Sequence, residues 1–358
     1  MALDITHTRL RNQRLSAGRF AGPEDVVRWL GAVQAQDYAG AKWALGLRMQ
    51  RARDADIEAA FTDGRILRTH VMRPTWHFVA PDDIRWMLAL TAPRVSAGIA
   101  PRYRRLELDG AVFRRSQRAM VRALRGGRQL TRQELKVVLQ RGGVHTDGVQ
   151  RLAHIVMQAE LDAVICSGAR RGKQFTYALL DERVPMVGTR SRDDSLAQLA
   201  RRYFTSHGPA QLHDFAWWSG LTVSNARAGL ATVEKELASE TINGRTYWFS
   251  SSVRALASPR AAYLLPVYDE YLIAYRDRRA ALDPSRWTQA ASRDPFSAPI
   301  VVDGQVVGGW KRIQKKSGIG IVLTAFAPLD KRHMVAITDA ARAYTRFVGA
   351  DLELSWSW

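Results

Sequence analysis

Cysteine is almost missing from this 358-residue chain, and acidic residues fall well short of basic ones. The lone Cys166 excludes an intrachain disulfide and makes a cysteine-based zinc site improbable. It lies in the apolar run LDAVICSG, where a thiol behaves as a small buried hydrophobe. No apolar run approaches the ~20 residues that span a bilayer, so no membrane partner is expected. The N-terminal stretch also lacks the apolar core of a signal peptide. The expectation is therefore a cytoplasmic protein. The eight histidines are scattered without HxH or HxxxH spacing, which leaves no metal site to propose. No GxxxxGK[ST] loop is present, so nucleotide hydrolysis is unsupported and no cofactor is expected.

Basic charge, in contrast, is abundant. Lys and Arg number 53 against 34 Asp and Glu, a net of +19. Most of these cations are arginine, whose planar fork bonds phosphate bidentately. Such a balance points to nucleic acid or another anionic surface. A GC-rich genome also inflates Arg and Ala, yet it does not explain why the acids fail to keep pace.

The chain repeats a theme of three helices followed by two short strands. The middle copy is the clearest. AVFRRSQRAMVRALRGG reads as a helix stopped by Gly126 and Gly127. Thr131 and Glu134 form a capping box that starts a second helix, stopped by Gly142 and Gly143. A third helix is expected over GVQRLAHIVMQAELDAVICSG, then the strand KQFTYALL. This is the order of a winged helix. A later copy has helices SLAQLARRYFTSHG and AQLHDFAWWSGL, then one capped by Thr222 or Ser224. Its hairpin turns at Asn243-Gly244. The first copy is looser, with a hairpin RILRTHVM and TWHFVAP around Arg73-Pro74. From about Pro266 the texture becomes strand-like.

The expected fold class is α+β: three tandem winged-helix units and a small β-rich C-terminal domain. Their spans are 1–110, 111–190, 191–262 and 263–358. The middle unit holds 15 Lys and Arg against 6 Asp and Glu, a net of +9. Arg114, Arg118 and Arg122 recur there at helical spacing, and Arg171 and Lys173 precede its wing. These are candidate DNA contacts, which would give affinity and salt dependence rather than sequence choice. His70, Arg73 and His77 on the first hairpin are further candidates, with Arg73 at its tip. Trp43 and Trp76 are read as core aromatics, although either could stack on a base. Asp269 and Glu270 read as members of a structural ion-pair cluster with Arg276 and Arg278.

The stretch AVQAQDYAG ends a helix-like run and holds two glutamines two apart, Gln34 and Gln36. In a helix they would point ~200° apart, and in an extended segment they would share a face. They can act together only if the helix has stopped near Val33. From spacing alone the pair is a polar linker.

Taken together, VQAQD at 33–37, RTHVMRPTWHFVAPDD at 68–83, GPAQLHDFAWWSGL at 208–221, LLPVYDEYLIAYRDR at 264–278 and VVDGQVVGGWKR at 301–312 resemble the AlkZ-type family of bacterial DNA glycosylases. The resemblance spans nearly the whole chain. It implies tandem winged helices, and it implies catalysis by the Gln-apolar-Gln signature, here Gln34-Ala35-Gln36. Family members excise bulky or cationic alkylpurines, and some unhook interstrand crosslinks made by antibiotics.

Glutamine cannot act as a useful base, but its amide can accept and donate hydrogen bonds. An N7- or N3-alkylated purine already carries positive charge and leaves readily, so placing a water and stabilising an oxocarbenium-like sugar can suffice. Neutral lesions such as uracil should react poorly. Asp37 adjoins the pair as a possible accessory group, with an Asx-type cap or an ion pair as its alternative role. No lysine stands beside the glutamines, which argues for a monofunctional glycosylase that leaves an abasic site. The expected partner is double-stranded DNA containing alkylated purines, bound by a monomer at the nucleoid. The competing function is a non-catalytic winged-helix regulator or architectural protein.

Overall fold

The computed structural model describes residues 3–357 apart from 149, 185, 187, 189, 251–260, 284, 286–297 and 316–317. The expected boundary near residue 262 therefore follows a stretch that lies outside the described residues. The fold is mixed α+β.

The first section contains α1 (Ile5–Asn12), α2 (Pro23–Leu30), β1 (Ala32–Gln34), α3 (Tyr38–Gly46), α4 (Asp54–Thr62), β2 (Leu67–His70) and β3 (Trp76–Val79). Pro23 opens α2 with Glu24 and Asp25 in its first turn, a favourable start against the helix dipole. Gly31 closes it at φ +85, a conformation that suits a residue without Cβ. The long helix α5 (Pro81–Arg105) then leads out of this section.

Next come α6 (Gly110–Leu124), β4 (Leu130–Thr131), α7 (Arg132–Arg141), α8 (Arg151–Leu161), β5 (Ile165–Ser167), β6 (Thr176–Leu179) and the one-turn α9 (Leu180–Arg183). Thr131 and Glu134 cap α7 reciprocally. Helix α8 is shorter than its apolar period suggested. Asp162 caps its C-terminus, Ala163 takes φ +57, and Ile165–Ser167 turns away to pair with β6. The strands order β4-β6-β5.

The third section holds α10 (Arg192–Ser206), α11 (Leu212–Ser219), α12 (Val223–Val233), β7 (Leu237–Ile242) and β8 (Arg245–Ser250). Thr222 caps α12 by accepting the Asn225 N–H. Asn243 and Gly244 both have positive φ, as the hairpin turn requires. The last section is a five-stranded sheet, β13-β12-β11-β10-β9, with α13 (Glu270–Ile273) and α14 (Lys331–Val348). Its strands are β9 (Ala262–Leu264), β10 (Ala298–Val302), β11 (Gln305–Lys315), β12 (Gly318–Ala325) and β13 (Leu352–Ser357). The stretch around Asp269 looks strand-like in sequence, but Asp269 accepts the Tyr271 N–H and starts a helical turn instead. No helix among the described residues is long and apolar enough to cross a membrane.

Three apolar cores cut across these sections. One unites Val33, Ala35, Phe61 and Phe78 with Leu264, Ile300 and Leu323 of the C-terminal sheet and Phe347 of α14. A second unites Ala32, Leu67 and Val79 with α5 and with Tyr203, Phe215 and Trp218 of the third section. The third belongs mainly to α6, α7, α8 and their strands.

Candidate active site

Helix α2 ends at Leu30, three residues before the position that cooperation of the glutamines demands. The chain then runs extended as the edge strand of a three-stranded sheet ordered β1-β3-β2. Cross-strand register decides which side chains share a face. Gln34 opposes His77, which opposes Thr69, so these three form one row on one face. The adjacent rows, Val33–Phe78–Arg68 below and Trp76–His70 above, point to the other face. This small sheet is the partition between the first two cores.

Gln34 is 9% exposed and Gln36, on the bend after β1, is exposed. Among the described residues neither side-chain amide has a hydrogen-bond partner in the protein. The backbone between them is firmly held. The Gln34 N–H, on the free edge of β1, donates to Glu270 Oε1 at 2.9 Å. The Ala35 N–H donates to the Trp76 carbonyl at 2.7 Å. The Ala35 carbonyl accepts from Arg68 Nε at 3.0 Å.

Glu270 is fully buried and also accepts from Trp218 Nε1 at 3.0 Å, while His207 Nε2 stands 3.6 Å away. Burial alone would raise its carboxyl. His207, the Gln34 N–H and the nearby Arg73 charge outweigh that and hold it below the usual carboxylate range. Its neighbour Asp269 makes a bidentate bridge to Arg48, at 2.8 and 2.9 Å, with both side chains 0% exposed. The expected ion-pair cluster therefore exists, but its cation is Arg48. Arg276 and Arg278 make no ion pair with Asp269 or Glu270 among the described residues. Neither Arg48 nor the Glu270–Gln34 link could be read from sequence, because each joins segments more than two hundred residues apart.

The first hairpin is tucked inward rather than projecting. His77 is completely buried. Its Nδ1 donates to the Thr75 carbonyl at 2.9 Å, which leaves Nε2 as a lone-pair acceptor without a partner. Burial, with the Arg73 charge beside it, pushes its pKa well below the histidine norm. His70 bonds the buried Glu160 carboxylate and lies 4.3 Å from the Trp76 ring. Arg73 is half-buried, with Nε and one terminal nitrogen enclosed and unbonded. The tip is pinned by Gly220, where an added Cβ would sit 2.1 Å from the Met72 carbonyl. The structure thus places His77 on the Gln34 face of the small sheet and His70 on the opposite face, both buried within the hairpin, with the half-buried Arg73 between them.

Asp37 is exposed and occupies the N-cap of α3, yet makes neither a side-chain cap hydrogen bond nor an ion pair among the described residues. Arg114, Arg118 and Arg122 all lie exposed on α6, and none is in an ion pair among the described residues. Arg171 is partly neutralised by Glu134 at 2.7 Å, and Lys173 is exposed. Trp43 is core, donating to the Leu264 carbonyl. Cys166 is buried, which pushes its thiol up to about 12.

A family model described as "DNA glycosylase AlkZ-like" matches residues 27–347. The chain belongs to this family. It is 23% identical over 358 residues to an interstrand DNA cross-link repair glycosylase of Streptomyces sahachiroi, covering 95% of each chain. Its fold is similar to that of the Streptomyces sahachiroi DNA glycosylase AlkZ, with a TM-score of 0.84 and 22% identity over 99% of this chain and 98% of that one. Against the AlkZ-like frame, the residues that sequence reasoning missed are Arg68 and Arg48, and for Glu270 it missed the bond to the Gln34 N–H. The adjacent acids Asp269 and Glu270 stand out from the apolar residues around them, but the surrounding texture reads as a strand.

Proposed function

We propose that the protein is a monofunctional DNA glycosylase that hydrolyses the N-glycosidic bond of cationic N7- or N3-alkylated purines in duplex DNA. The observation that carries this is the Gln34-Ala35-Gln36 segment: extended, clamped through its backbone, with both side-chain amides unbonded to the protein. Preorganised amide dipoles suit a reaction whose leaving group already carries charge, because they need only place water and stabilise the sugar cation. Gln34 lies at the enclosed end and Gln36 at the open end. The exposed Asp37 carboxylate next to Gln36 adds negative potential where positive charge develops on the sugar. The helix–helix–helix–hairpin order of the second and third sections supports winged helices there, and we extend the same reading to the first section, so that three units surround the duplex with Arg114, Arg118, Arg122, Arg171 and Lys173 on its phosphates. The protein acts as a monomer at the nucleoid.

The deciding experiment is single-turnover incubation with N7-methylguanine duplex followed by mild alkali. Abasic sites should accumulate, with strand breaks only after alkali. Uracil and hypoxanthine duplexes should stay intact. Rapid uracil release would sink the neutral-glutamine mechanism, and binding without any excision would favour a regulator.

A further inference from the structure

On the face of the small sheet opposite Gln34 lies a cleft of about 430 Å³. It is walled by Arg68 and Trp76 of the hairpin, by Arg132 at the start of α7, and by Lys173, Phe175 and Tyr177 of the β5–β6 connection and strand. No Asp or Glu lines it.

Arg68 is the unusual member. It is only 8% exposed, and its guanidinium stacks 4.3 Å from the Trp76 ring and 4.5 Å from Phe175. A buried cation ordinarily has a carboxylate beside it. Arg68 has none in hydrogen-bond contact. Its Nε is bonded to the Ala35 carbonyl, and its terminal nitrogens make no hydrogen bond among the described residues. Glu160, the nearest influential acid, is taken by His70. Burial accordingly pushes the Arg68 pKa down to about 10. Arg132 adds a second donor, an Nε that is buried and unpartnered, and Lys173 a third cation free of ion pairs among the described residues.

Three unneutralised cations repel a positively charged base, so the cleft does not suit the lesion itself. Guanidinium donors converging with an ammonium fit the oxygens of a phosphate. We infer that Arg68, Arg132 and Lys173 form a phosphodiester site for one DNA backbone phosphate near the target nucleotide. The inference rests on the glycosylase reading for its ligand. The Arg68–Ala35 hydrogen bond makes this site more than an affinity contact. One guanidinium touches both the phosphate and the backbone between the two glutamines, so it sets the register of the strand against the reacting bond. Arg68 is in this sense a positioning residue.

The test is a scan of single methylphosphonate substitutions through the strands around a lesion, with binding and single-turnover excision measured for the wild type and for Arg132→Gln and Lys173→Gln. Both variants alter cations at the cleft rim and leave the clamped glutamine segment intact. One position should weaken wild-type binding by about tenfold, the loss expected for a charge-assisted contact. The same substitution should cost Arg132→Gln almost nothing, and that variant's salt slope should be shallower by about 1. If every methylphosphonate penalty persists in both variants, the site is overturned. Inorganic phosphate, tested against chloride at matched ionic strength, separates the other source. Arg132-dependent phosphate binding with no position-specific penalty would assign the cleft to a free anion and overturn the backbone assignment. Binding is also scanned on undamaged duplex, so a protein that excises nothing but shows the paired loss would refute the glycosylase reading while sustaining the phosphate site.

Discussion

Gln34 and Gln36 sit in different surroundings, and their variants should reflect it. Gln36→Ala removes an exposed amide and should slow single-turnover excision by about ten- to a hundredfold, roughly 1.4 to 2.8 kcal/mol of barrier, with binding little changed. Gln34→Ala should slow it comparably, and the double variant should lose less than the product of the two if both amides hold one water. Full activity in both single variants would leave the pair as a mere helix exit. Arg48→Met probes a different residue-scale effect. It strands Asp269 as a buried, unpaired carboxylate, and urea unfolding should report a loss of about 3–5 kcal/mol. His77 supplies a pH dependence. Its folded pKa lies well below the ordinary 6.5, so the unfolded chain takes up a proton first as pH falls. The stability it contributes is complete above pH 6.5 and is lost as pH drops below that value. The fully buried His207 shifts the same way, and burial is again the main cause. Urea midpoints measured between pH 7.5 and 5 should fall, and fall less in His77→Gln.

At the scale of elements, legibility followed the range of the determining interaction. The α7 capping box, the Asn243-Gly244 turn and the Thr222 cap are fixed within three or four residues, and sequence reveals them. The apolar period runs past the end of α8 because Ala163 breaks the helix with a positive φ in place of the usual glycine, and because β5 forms only by pairing with β6. The turn at Glu270 reads as a strand in sequence because its buried acids answer to Arg48, Trp218 and the Gln34 N–H, all remote in sequence. The glutamine pair itself was visible, whereas the clamps on its backbone were not. Gly220 offers an element-scale test. Gly220→Ala puts a methyl against the Met72 carbonyl at a position with φ +69, so the hairpin tip must shift. Excision should drop more than undamaged-DNA binding, since the hairpin carries Arg68, Trp76 and His77 beside the glutamines. Equal losses in both would mean that the hairpin only supports folding.

Across the whole molecule the charge excess should govern affinity. Binding to any duplex should weaken steeply with salt, with a slope near −0.9 per phosphate contact, and Arg114, Arg118 and Arg122 changed together to Glu should flatten it. An unchanged slope would move the DNA surface off α6. The single hydrogen bond from the Gln34 N–H to Glu270 spans 236 residues, and its consequence is temporal. A ribosome adding ~5–20 residues per second emits the glutamines roughly ten to fifty seconds before their clamp. Until Glu270 emerges, β1 has an unsatisfied edge, and the first core lacks the sheet that completes it. The nascent chain is then basic enough to bind nucleic acid but has no ordered centre for base removal. Ribosome-stalled chains ending at residue 260 should retain duplex and expose Gln34 to proteolysis, with activity appearing only in chains that continue past the C-terminal sheet.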